Sequence, residues 1–127
     1  MHKPFSQACE NNRAPIGKVL MRLLSTSASV LELGSGTGQH AVWFAQQLTH
    51  LHWQTSDRME NHSGINQWLD ESGLNNIGAP IALDIGRDVW PTQTFDAAFS
   101  SNTAHIMEWP DVEIMFSQVA GILSAGG

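Results

Sequence analysis

The chain has 127 residues, 42% of them hydrophobic and 14% charged, a composition that fits one globular domain with a buried core. Twelve acidic residues against six Lys and Arg give a formal net charge of -6, which excludes the basic surface of a general nucleic-acid-binding protein. The single cysteine, Cys9, excludes an intrachain disulfide and a cysteine-rich metal site, and no apolar stretch approaches the ~18 residues of a membrane span. We therefore expect a soluble cytoplasmic protein.

Apolar periodicity predicts the elements of the first half of the chain. A first helix is expected over residues 15–24, with Pro15 at its first position. The short apolar run at residues 29–33 predicts a strand. A second helix is expected after Gly38, where apolar residues again recur at helical spacing, and residues 51–56 predict a second strand.

The second half continues the alternation. Residues 61–72 predict a helix that ends near Gly73. Residues 80–85 and 95–101 predict a third and a fourth strand, and apolar residues from Val112 onward predict a final helix. Strands that alternate with helices favour a parallel, right-handedly wound α/β sheet.

A glycine-rich loop, GSGTG at residues 34–38, lies between the first strand and the second helix. Gly34 can turn the chain sharply, Gly36 lets backbone approach a ligand, and Gly38 permits close packing where the helix begins. In such a sheet the ligand lies at the carboxyl ends of the strands, where this loop is expected. Asp57 follows the second strand near the ~20-residue offset at which an acidic side chain accepts hydrogen bonds from ribose hydroxyls.

Several uses of this loop are open. A structural strand-to-helix turn without a ligand would also use glycine. A nicotinamide dinucleotide site is disfavoured because Gln39 stands where the G-x-G-x-x-G fingerprint has its third glycine. A P-loop is absent because no Gly-Lys-Ser/Thr ending follows.

The pattern Glu32-x-Gly34-x-Gly36-x-Gly38 instead resembles the first motif of class I S-adenosylmethionine-dependent methyltransferases. The segments SQACENNRAPI, HWQTSDR, FDAAFSSNTAHIMEW and LSAGG extend the likeness over essentially the whole chain. Together they resemble a small methyltransferase-like family formerly classed as a domain of unknown function, of the methyltransferase-like protein 26 type.

The resemblance implies a fold. We expect a Rossmann-like parallel sheet in the class I strand order 3-2-1-4, with helices on both faces. A helical segment over residues 1–28 would precede the core at residues 29–127, and both would form a single S-adenosylmethionine-binding domain. Class I methyltransferases continue into three further strands, so the sheet is expected to be truncated after its fourth strand.

The resemblance also implies a cofactor site. The glycine loop would line the methionine and ribose portion of S-adenosylmethionine, Glu32 would order the loop, and Asp57 would bind the ribose. Asp84 with Ile85 would flank the adenine. The expected cofactor-binding residues are Glu32, Gly34, Ser35, Gly36, Gly38, Asp57, Asp84 and Ile85.

Two residues are candidates for the transfer step. By resemblance, Asn102 would face the methyl-transfer cleft from the end of the fourth strand. Methyl transfer from a sulfonium is an in-line displacement, which needs a base only if the nucleophile carries a proton. His105 is the best-placed base just past that strand, since the unperturbed pKa of histidine is about 6.5. A structural, hydrogen-bonded histidine is the equal alternative.

No metal site is expected, because the remaining histidines lack ligand spacing: His40, His50, His52 and His62. The expected function is methyl transfer to a small molecule or a protein side chain, with no membrane or bulk nucleic acid as partner. The alternative is a non-catalytic cofactor- or protein-binding module that kept the methyltransferase fold. The apolar fourth strand, FDAAF, would be a sheet edge, which predicts either a homodimer through that edge or a fragment of a longer protein.

Overall fold

The computed structural model describes residues 7–25, 28–83 and 95–100. They form three α-helices, four strands and one 3-10 turn: α1 (Gln7–Leu23), β1 (Ser29–Leu33), α2 (Gln39–Gln47), β2 (His52–Asp57), the turn Met59–Asn61, α3 (His62–Ser72), β3 (Ile77–Ala82) and β4 (Ala97–Ser100). No helix in these ranges is long and apolar enough to span a bilayer.

The four strands form one parallel sheet in the order β3-β2-β1-β4. Val30 of β1 lies opposite Trp53 of β2 and Ala97 of β4, and Trp53 lies opposite Ile77 of β3. Parallel neighbours need a crossover between them, which α2 supplies between β1 and β2 and α3 between β2 and β3. The order confirms the predicted 3-2-1-4 arrangement and the Rossmann-like class.

The core lies between the sheet and helices α1 and α2. Phe44 of α2 is fully buried, and its ring centroid lies 5.6 Å from those of Trp53 and Phe99. Burying a side chain of this size contributes about 1.5–3 kcal/mol. Val30 of β1 belongs to the same core cluster as Phe44. Leu31, the next residue, lies on the opposite face of β1 and is also fully buried, so both faces of this central strand are covered. The other buried members of the core cluster are Leu20, Leu24, Ala41, Ala45, Leu48 and Leu51.

Helix α1 begins at Gln7, so the predicted start at Pro15 is wrong, and Pro15 lies inside the helix. Residues before Pro15 are mostly polar and carry no apolar period, which is why the pattern missed them. Gln7 Nε2 donates a hydrogen bond to Asn11 Oδ1 at 3.0 Å, an i,i+4 pair that supports this first part. The proline costs the helix one backbone hydrogen bond.

Strand β3 spans Ile77–Ala82 instead of the predicted residues 80–85. Gly78 and Pro80 disfavour strands, so the pattern placed the strand too late. The pairing with β2 shifts register between Gln54 and Ser56, which accommodates an extra β3 residue near the proline. In the described sheet β3 pairs with β2 alone, and proline is tolerated in such a strand because it need not donate to a second neighbour.

Strand β4 falls inside the predicted range 95–101. Asp96, just before it, accepts hydrogen bonds from the N–H groups of Ala28 at 2.6 Å and Ser29 at 3.1 Å, which ties the start of β4 to the start of β1. Within the described sheet β4 pairs only with β1. The expected final helix lies outside the described residues, and the homodimer through β4 stays a prediction.

Candidate cofactor-binding site

The glycine loop leaves β1 in a left-handed conformation and is tied to β2. Gly34, Gly36 and Gly38 have φ values of 70°, 61° and 94°, which residues other than glycine rarely adopt. Ser35 N–H donates to the Ser56 carbonyl at 2.8 Å, and Ser56 N–H donates to Ser35 Oγ at 3.0 Å. These two bonds fix the loop at the carboxyl ends of β1 and β2.

Two of the glycines have different surroundings. A Cβ on Gly38 would lie 3.2 Å from Ile65 Cα and 3.3 Å from Trp68 Cβ, so this glycine lets the start of α2 pack closely on α3, as the sequence predicts. A Cβ on Gly36 would meet no heavy atom of the described structure within 4 Å. The backbone at Gly36 therefore borders open space, where a ligand can approach it.

Asp57 lies directly against this loop. Its Oδ2 accepts a hydrogen bond from Gly36 N–H at 2.7 Å, and its Oδ1 accepts from Arg58 N–H at 2.7 Å and Asn61 Nδ2 at 2.9 Å. The residue is only 8% exposed. A carboxylate has about four acceptor positions, so it keeps capacity for a further donor. The structure therefore brings the glycine loop and Asp57 into contact. It also places Asn61 against Asp57, a contact that no pattern in the sequence indicated.

Glu32 is buried beneath the loop, with 2% of its surface exposed. Its Oε1 accepts a hydrogen bond from Trp53 Nε1 at 3.2 Å, and its side chain also bonds with that of Ser35. Burial raises the pKa of Glu32 to about 7, although both hydrogen bonds act against this shift; the nearby charge of Asp57 adds to it. Glu32 thus contacts the loop through Ser35, and its role in ordering the loop stays a prediction.

A group that sequence reasoning missed connects α1 to the start of α2; we call Glu10, Gln39 and His40 the α1–α2 polar cluster. Gln39 Nε2 donates to Glu10 Oε1 at 3.2 Å, and Thr37 Oγ1 of the loop donates to Gln39 Oε1 at 2.9 Å. The sequence offered only one signal, the position of two polar residues directly after the glycine loop.

His40 is the most enclosed part of this cluster, with 5% of its surface exposed. Its ring stacks on Phe44 at a centroid distance of 5.1 Å and meets Phe99 of β4 edge-on at 6.4 Å. Burial lowers the pKa of His40, and the negative charge of Glu10 opposes that shift. Burial therefore favours the neutral form of the imidazole, which packs against the rings of Phe44 and Phe99.

Four predicted site residues lie outside the described residues: Asp84, Ile85, Asn102 and His105. Their roles stay predictions. Within the described ranges, no three His, Cys, Asp or Glu side chains come together in a way that could hold a metal ion.

A family model for "Protein of unknown function (DUF938)" matches residues 3–127. The chain belongs to this family.

Solved methyltransferases share its fold. The apo S-adenosylmethionine-dependent methyltransferase SibL superposes with a TM-score of 0.81 at 18% identity, over 94% of this chain and 35% of that one. The glycopeptide N-methyltransferase MtfA, complexed with sinefungin, superposes with a TM-score of 0.76 at 15% identity, over 88% of this chain and 46% of MtfA. Coclaurine N-methyltransferase, bound to N-methylheliamine and S-adenosylhomocysteine, superposes with a TM-score of 0.73 at 16% identity, over 97% of this chain and 36% of that enzyme.

These matches confirm the class I methyltransferase fold that the glycine motif predicts. The DUF938 chain spans about a third to a half of the length of these three proteins.

Proposed function

We propose that this chain is the S-adenosylmethionine-binding domain of a methyltransferase that transfers a methyl group to an acceptor by in-line displacement. The observation that carries the proposal is the contact between Gly36 and Asp57 at the open side of the glycine loop. Two of the similar solved proteins hold sinefungin or S-adenosylhomocysteine, which supports a cofactor of this chemistry.

The residues present fit such a cofactor. The space beside Gly36 admits a ligand against the backbone. Asp57 is oriented by three donors and keeps acceptor capacity for ribose hydroxyls. When bound, the cofactor supplies an activated methyl group on a sulfonium, and the protein's task is to hold an acceptor in line with it.

Around that site, Asp84 with Ile85 would flank the adenine, Asn102 would face the transfer cleft, and His105 would remove a proton from the acceptor. The acidic charge balance favours a small molecule or a protein side chain as acceptor over bulk nucleic acid. The single cysteine is consistent with a cytoplasmic protein.

Calorimetry with S-adenosylhomocysteine, S-adenosylmethionine and NAD tests the proposal. We expect binding of the first two and none of NAD. Asp57→Ala should weaken the binding of S-adenosylhomocysteine by about 1–3 kcal/mol, since buried ribose hydroxyls would lose their acceptor. Asp70→Ala, an exposed position on α3, is the matched control and should bind as the wild type does.

The opposite outcomes separate the alternatives. A wild-type protein that gives no heat with millimolar S-adenosylhomocysteine contradicts the proposal. Binding of NAD alone would favour a nicotinamide oxidoreductase. Binding of S-adenosylmethionine without turnover on any acceptor would favour a non-catalytic module.

A further inference from the structure

His40 carries a buried ring nitrogen without a hydrogen-bond partner. Nδ1 is shielded from solvent and bonds to no group in the part of the chain that the structure describes. Leaving a buried polar atom unpaired is unfavourable, and such atoms in folded proteins call for an explanation. The stacking on Phe44 and the edge contact with Phe99 hold the ring in place, so the nitrogen cannot easily turn to another partner.

The position of His40 relative to Asp57 limits which ligand it can meet. Asp57 ends β2, on one side of β1, whereas Phe99, which His40 contacts, belongs to β4 on the other side. The glycine loop lies between them, at the end of β1. A cofactor laid across the loop with its ribose at Asp57 therefore directs its other end toward β4 and the α1–α2 polar cluster.

We propose that Glu10 and His40 together bind the α-ammonium group at the amino-acid end of the cofactor. This inference rests on the proposed function. An ammonium group has three N–H donors and no acceptor, so it requires acceptors around it. The carboxylate of Glu10 supplies negative charge, and a neutral imidazole with its proton on Nε2 supplies Nδ1 as a further acceptor.

The coupling to the loop strengthens the assignment. Gln39 joins Glu10 to Thr37 of the glycine loop through two side-chain hydrogen bonds. The carboxylate is therefore oriented by the same loop that would carry the rest of the cofactor. A purely structural tie between α1 and α2 would account for Glu10 and Gln39, but it leaves the buried Nδ1 of His40 without a role.

The test compares two probes by calorimetry. S-adenosylhomocysteine has the amino-acid end, whereas 5′-methylthioadenosine keeps the adenosine and the thioether but lacks that end. The variants are His40→Phe, which keeps the ring stack and deletes both nitrogens, and Glu10→Gln, which deletes the charge. The matched controls are His52→Phe at the exposed amino end of β2 and Glu60→Gln at an exposed site after β2.

We expect each variant to bind S-adenosylhomocysteine about tenfold more weakly, as for a lost charged hydrogen bond. The affinity for 5′-methylthioadenosine should not change. The controls should bind both probes as the wild type does. Glu10→Gln, at a less buried position, keeps the test decisive if His40→Phe does not fold.

Equal weakening of both probes, or no weakening of either, overturns the inference while leaving the proposed function intact. A selective loss in only one of two folded variants overturns the shared role of the pair. If the wild type binds neither probe, the proposed function itself fails.

Discussion

The buried carboxyl of Glu32 makes stability depend on pH in a defined direction. Burial, opposed by the Ser35 and Trp53 hydrogen bonds, raises its pKa from 4.5 to about 7 in the folded chain. The unfolded chain releases this proton near pH 4.5, but the folded chain keeps it until about pH 7. The folded state thus binds more protons over this interval, so the contribution of Glu32 to stability is largest below about pH 4.5 and is lost as pH rises to about 7.

The size of the effect follows from the same interval. Each pH unit between the two pKa values is worth about 1.4 kcal/mol, so ionising Glu32 lowers the free energy of unfolding by about 3 kcal/mol between mildly acidic and neutral solution. Glu32→Gln keeps the shape and an acceptor for Trp53 Nε1, but it cannot ionise. The variant should therefore lose this part of the pH dependence.

Urea unfolding at several pH values from about 5 to about 8 measures this difference. Because only about two of the pH units between the two pKa values lie inside this range, the wild type should lose about 2–3 kcal/mol relative to Glu32→Gln across it. The exposed Glu60→Gln, which removes a surface ion pair at 3.8 Å, should run parallel to the wild type. If Glu32→Gln also runs parallel to the wild type, Glu32 is ionised throughout and the reasoning from burial is wrong.

Three further predictions concern the loop, the partners and assembly. Gly36→Ala should abolish most S-adenosylhomocysteine binding in calorimetry, because the added methyl group enters the open space. It should also lower the free energy of unfolding by about 1–2 kcal/mol, because the backbone at this position is left-handed. Gly38→Ala should lower the free energy of unfolding in urea by more than this, since its methyl group also crowds Ile65. Random DNA or RNA should show no tight, salt-sensitive binding in titrations at two salt concentrations; such binding would contradict the expected acceptor class. A homodimer through β4 should give a dimer mass in size exclusion with light scattering, and a monomer up to near-millimolar concentration would contradict it.

The sheet was predictable because its strands carry strong local signals. The apolar residues of β1 and the glycines that follow it indicate a buried strand and a turn, and the resemblance supplied the strand order. The errors fell where those signals are weak. Residues 7–14 of α1 are mostly polar and show no helical apolar period. In β3, Gly78 and Pro80 weaken the strand pattern, although pairing with β2 stabilises β3 in the folded sheet.

The candidate site divides in the same way. Asp57 was predictable because its offset from the glycine loop reflects one βαβ unit. Glu10 and His40 were not, since their proximity depends on how α1 packs against α2, a contact between segments separated by the whole of β1. No local pattern in the sequence records that packing.

The hydrogen bonds around the loop bear on the affinity that such a site can reach. Ser35 and Asp57 hold the loop through bonds to Ser56 and Gly36 before any ligand arrives. Ordering a mobile loop on binding would cost about 1–2 kcal/mol for each residue whose backbone is fixed, and here much of that cost is already met in folding. Replacing Ser35 by Ala would remove the Ser56 N–H bond and the contact with Glu32 while leaving the open space at Gly36 unchanged. A ligand would then have to order the loop itself, so its affinity should fall because the loop is no longer held in place before binding.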